Sequence, residues 1–169
     1  MSKTFLLIVC ILDVTQVLIT GYLSQNSLME VINANGTTSI CNASSHKYPN
    51  DLSDASGGFI DNKMIICGGT YLWDAPLNIS CYSFGRQNEW QLHSSQKDPD
   101  NVAYGSAAIP LFNGLWITGG VTWTNDFLDS TEIVLSNGTR VDGGIRLPSP
   151  VYYQCGVKHN GIAILIGGI

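Results

Sequence analysis

Glutamate is nearly missing from this sequence: three residues among 169, against 18 glycines. Glu is a good helix former and Gly a poor one, so a helical bundle is set aside. Charge is sparse as well, at 12% of residues against 44% hydrophobic, which is too apolar a mix for a disordered chain. Eight Lys and Arg face 13 Asp and Glu, and the net charge of −5 leaves no basic footprint for nucleic acid. No apolar run reaches the roughly 18 residues a membrane span needs, because Asp13 and Gln16 interrupt the amino-terminal one. Cys-x-x-Cys spacing is lacking and His46, His93 and His159 are dispersed, so neither a metal site nor a cofactor is expected. What is present suits an all-β protein with many turns, of a length normal for one domain.

Lys3 precedes an apolar run over 5–12, followed by the more polar Asp13-Val14-Thr15-Gln16 and a second apolar patch that ends at Thr20-Gly21. A short charged region before an apolar core of this length reads as a secretory signal peptide over 1–21, removed near Gly21 to Gln25. An uncleaved anchor and a buried strand are the alternatives. The expected product is secreted and extracellular, with no membrane span after cleavage. Cys10 belongs to that leader, which leaves Cys41, Cys67, Cys81 and Cys155 in an oxidising compartment, as disulfides or as buried thiols. The sequons at Asn35, Asn42, Asn78 and Asn137 would be open to glycosylation there.

A repeat organises the rest. Glycine doublets close three apolar runs: Lys63-Met64-Ile65-Ile66-Cys67-Gly68-Gly69, Leu115-Trp116-Ile117-Thr118-Gly119-Gly120 and Ile162-Ala163-Ile164-Leu165-Ile166-Gly167-Gly168. The steps between them are 51 and 48 residues. Each run follows a short turn, Asp61-Asn62, Asn113-Gly114 or Asn160-Gly161, and before it a small-residue segment, which reads as strand, tight turn, strand. A second hairpin falls between doublets, where Glu30-Val31-Ile32-Asn33-Ala34-Asn35-Gly36-Thr37 matches Glu132-Ile133-Val134-Leu135-Ser136-Asn137-Gly138-Thr139, 102 residues on. Its middle copy runs from Ser80-Cys81-Tyr82 to Trp90. The Asn-Gly pairs at 35 and 137 serve the turn whether or not they carry sugar. A four-stranded unit recurring about every 50 residues is the pattern of a β-propeller blade.

On these residues the chain resembles the kelch-repeat family. A glycine doublet, then an aromatic residue, then a tryptophan is similar to Gly68-Gly69, Tyr82 and Trp90 here. The next unit keeps Gly119-Gly120 but has Val134 and Val141 near the usual Tyr and Trp positions, and Gly167-Gly168 closes the last run. The resemblance implies a partial kelch-type β-propeller of about three four-stranded antiparallel blades. An outer hairpin is expected over 22–50, blades over 56–92 and 106–147, and an inner hairpin over 153–169. Kelch propellers are similar in mostly having six or seven blades, so the chain reads as part of a larger product whose open blade edges favour self-association. Cys67 and Cys81 fall on consecutive antiparallel strands, which leaves a bridge between them topologically open; Cys41 and Cys155 would then pair or stay free.

The resemblance implies a binding module rather than an enzyme, presenting loops to a protein or glycan partner. Trp73 and Trp123 follow their doublets in the long connections where binding residues collect, although a repeated structural plug fits the same spacing. Trp90, Trp116, Tyr82 and Phe112 are expected in the core between blades. Two other classes are weighed. Kelch adaptors of the intracellular type capture substrates for ubiquitin ligases or bind actin. Galactose-oxidase-like enzymes use Tyr, His and a Cys joined to Tyr around copper, and Tyr152, Tyr153 and Cys155 supply two of those types without a His on a matching motif.

Overall fold

The computed structural model describes residues 7–13, 16–23, 26–33, 38–40, 54–69, 80–84, 89–95, 104–122 and 124–169, with backbone alone before residue 54. Among them the protein is all-β, without a helix. Strands β1 (Leu7–Asp13), β2 (Gln16–Leu23), β3 (Asn26–Asn33) and β4 (Thr38–Ile40) form one four-stranded sheet. Strands β5 (Ser56–Ile60), β6 (Lys63–Cys67), β7 (Ser80–Phe84) and β8 (Trp90–Ser95) form a second. A third holds β9 (Ala107–Pro110), β10 (Gly114–Thr118), β11 (Thr131–Leu135) and β12 (Arg140–Asp142). The last two strands, β13 (Gln154–His159) and β14 (Ile162–Gly167), pair as a hairpin.

Every pairing is antiparallel between consecutive strands, and the register repeats. Ser56 faces Cys67, Ala107 faces Thr118 and Cys155 faces Ile166, each partner standing just before the first doublet glycine. The turns at Asp61-Asn62 and Asn160-Gly161 have positive φ at both central residues, as a two-residue hairpin needs. The middle turn differs from the expected Asn113-Gly114. Gly114 is already in β10, and the turn runs through Phe112 and Asn113, neither with positive φ. Phe112 is consequently 94% exposed and is not part of the core, because a turn apex projects away from both strands that it joins.

The sheets pack through their first strands, β1 on β5, β5 on β9 and β9 on β13. Small residues make this approach possible. A Cβ on Gly58 would stand 2.6 Å from Leu115 Cδ1, and one on Gly156 2.5 Å from Ile109 Cγ1. Ile65, Ile109, Leu115 and Val134 are fully buried around these contacts. Cys67 and Cys81 face each other across β6 and β7 in the same core, and their sulfurs lie 2.12 Å apart at disulfide distance. Cys155 is free and exposed on β13.

Polar links join the outer strands of the second and third sheets. Arg140 on β12 donates to both carboxylate oxygens of Glu132, at 2.9 and 2.7 Å, and to Ser94 Oγ on β8. The β7–β8 register shifts between Cys81 and Tyr82, so His93 falls between the pairs facing Ser94 and Leu92. From there its Nε2 donates to the Leu135 carbonyl at 2.9 Å.

Replacing Leu115 with Ala removes a fully buried side chain at the junction of two sheets. A loss of roughly 3 kcal/mol is expected, read as a lower urea midpoint with an unchanged slope.

Candidate functional site

Three backbone positions, one before each of β5, β9 and β13, take the left-handed conformation: Asp54 at φ 59°, Gly105 at 65° and Tyr153 at 57°. They are joined in series. The Gly105 amide donates to the Asp54 carbonyl at 2.9 Å, and the Tyr153 amide donates to the Gly105 carbonyl at 2.7 Å. Glycine takes this conformation freely and aspartate tolerates it, whereas for tyrosine it is uncommon. At Tyr153 the repeat imposes it, since that residue holds the position of Gly105 in the next unit.

The ladder gathers aromatic side chains. Tyr152 stacks on Phe127 with ring centroids 4.9 Å apart and planes 18° from parallel, and its ring lies 4.7 Å from that of Tyr153. The Tyr153 ring runs past Gly105, where a Cβ would stand 3.0 Å from it, and its hydroxyl reaches Asp54 Oδ2 at 3.5 Å. Tyr104 and Phe127 both bridge to Val121, which brings the connection after the Gly119-Gly120 doublet over the ladder. Phe127 is 53% exposed and Tyr153 45%. The result is an aromatic surface open to solvent, with one carboxylate against a phenol.

The doublet builds the floor of this surface. Gly119 and Gly120 have φ of 61° and 105°, and the Gly120 amide donates to the Val151 carbonyl at 2.8 Å. A Cβ on Gly119 would stand 2.3 Å from that carbonyl oxygen. The same pair of angles recurs at Gly68-Gly69 and Gly167-Gly168. Beside them, buried Gln154 donates to the Thr118 carbonyl and hydroxyl, both at 2.9 Å. Thr122, Thr124 and Asp126 close the turn of the overlying connection through Thr122 Oγ1 and the Asp126 carboxylate.

Of the residues singled out in the sequence, Trp73 and Trp123 lie outside the described residues, as do Asn35, Asn42, Asn78, Cys41 and His46. Asn137 is exposed, and its Oδ1 accepts the Thr139 amide at 2.9 Å in the β11–β12 turn. Tyr82 and Trp90 are half-buried on β7 and β8, Trp90 against Phe84 at 5.2 Å between ring centroids. Tyr152 and Tyr153, weighed only as copper ligands, lie instead in the aromatic surface. His93 is held by Leu135 and His159 by Asn160. Phe127 was missed, although it stands in the same connection as Trp123. Among the described residues a groove of about 610 Å³ runs along Glu132, Arg140 and Arg146, and its arginines engage Glu132 and Asp129. Compared with models of protein families and with curated proteins, the chain matches none.

Burial holds the Tyr153 phenol above the usual tyrosine value of 10.0, and the carboxylate of Asp54 adds to the shift. A raised acid pKa means that the folded protein keeps its proton longer than the unfolded chain. The contribution of Tyr153 to stability is therefore constant below pH 10 and falls as pH rises beyond it. A phenolate absorbance titration should show a late-titrating tyrosine that vanishes in Tyr153→Phe and titrates earlier in Asp54→Asn. An unchanged curve in both variants would contradict this placement.

Proposed function

We propose that the protein is a secreted, non-enzymatic binding module, a kelch-type β-propeller segment that presents its doublet-side connections to a protein or glycan partner. One observation carries the reading: Phe127, Tyr152 and Tyr153 form an exposed aromatic surface on a rigid backbone ladder. Flat aromatic faces take sugar rings or apolar side chains with little loss of conformational freedom, and Asp54 and Asp126 supply hydroxyl or ammonium acceptors at the margin. The propeller reading is supported by the four-stranded antiparallel sheets, by the recurring doublet angles and by the serial packing of first strands. The Cys67–Cys81 pair at disulfide distance favours an oxidising compartment.

The test is binding to a defined glycan panel and to defined extracellular proteins, comparing the unsubstituted chain with Phe127→Ala, Tyr152→Ala and Arg146→Ala. Loss of either ring should weaken binding about tenfold, which corresponds to about 1.4 kcal/mol. Arg146→Ala, in the groove, should leave it unchanged. The reverse pattern would move the site to the groove and overturn the proposal.

A further inference from the structure

Strand β2 repeats, in sequence as well as in position, the strand that runs into the doublet in the later units, with Tyr22 where those units have their second glycine. Val17-Leu18-Ile19-Thr20-Gly21 aligns with Leu115-Trp116-Ile117-Thr118-Gly119, identical at the last three positions. From Gly21 to Gly68 is 47 residues, close to the later steps of 51 and 48. Neither fact needs the structure, and the pairing agrees with both. Ile19 faces Glu30 as Ile117 faces Glu132, and Thr20 faces Met29 as Thr118 faces Thr131. Glu30 and Glu132 open the two matching outer hairpins, so inner and outer segments of the first unit meet in the register of the third. An apolar segment added to a sheet edge by hydrophobicity alone has no reason to select that register, since a slip of one residue still satisfies the backbone while turning every side chain over. Pairing also extends over all of β2, from Gln16 facing Asn33 to Leu23 facing Asn26.

A leader does not need this segment. Its charged residue is Lys3 and its apolar core lies in 5–12, already within the 7–15 residues such a core requires. Those features end before Asp13, and the polar link between β1 and β2 follows.

We propose that β2 belongs to the first repeat unit of the folded protein, so that the mature product keeps residues 16–23 and no removal falls near Gly21. Removal near Gly21 takes most of β2 and leaves β3 with β4, a strand of three residues. An isolated two-stranded pair is marginal in water, so such a product has no stable first unit.

Amino-terminal sequencing and intact-mass measurement of the folded product from secretory cells test this, followed by limited proteolysis of the same product. The expected start is at or before Gln16, an intact Met1 included. Cleavage within residues 16–23 should be no faster than within Gly114–Thr118. A folded product starting at Val17 or later would overturn the proposal. So would one that retains residues 16–23 but loses them to protease well before β10 is cut.

Discussion

Two backbone hydrogen bonds, from the Gly105 amide to Asp54 and from the Tyr153 amide to Gly105, set the terms for the rest of the structure. Each is worth only about 1 kcal/mol net. Their weight comes from what must hold for them to form. Successive sheets must start at one level, each first strand must come close to the previous one, and the chain must turn left-handed before β5, β9 and β13. The small residues at 58, 105 and 156 follow from that approach. The glycine doublets answer the same constraint from the other side, since the Val151 carbonyl sits where a Cβ on Gly119 would be.

The ladder also explains why the candidate site is where it is. Residues flanking it are fixed by backbone geometry, so their side chains can stand partly in solvent. Tyr152 and Tyr153 use that freedom, and Phe127 reaches them because its connection is pinned by Val121 and by the Thr122–Asp126 turn. Elsewhere, polar side chains fasten sheet to sheet. Arg140 engages Glu132 within its own sheet and Ser94 across the boundary, and His93 reaches Leu135. Both arrangements hold sheet to sheet, whereas the aromatic surface stands open to solvent at Phe127 and Tyr153.

Much of the fold was legible because its determinants are local. Doublets, paired turns and alternating apolar runs lie within a few residues of one another, and they place β5 to β14 closely. Strand order left a Cys67–Cys81 bridge topologically open, and the two sulfurs stand at disulfide distance. The failures have a different origin. Phe112 was assigned to the core from its flanking strands, but the third sheet turns one residue earlier than the Asn-Gly pair suggests, and the ring lands outside. Tyr152 and Tyr153 carry no local sign of their role, which depends on Gly105 and Phe127, 48 and 26 residues before Tyr153. A weak signal existed: Asp54, Gly105 and Tyr153 keep the steps of the doublets. The apolar amino terminus resembles two patterns at once, a leader core and the repeat's Ile-Thr-Gly strand, and composition does not separate them.

The central claim is that the sheets form one cooperative body through the inter-sheet ladder. Amide hydrogen exchange at Gly105 and Tyr153, followed by nuclear magnetic resonance, tests it most directly. Both amides should exchange only through the opening that also releases the buried strand amides of Leu115 and Val134, with protection of similar size. Free exchange at Gly105 and Tyr153 while Leu115 and Val134 stay protected would show that the sheets fold separately, and the account would fail.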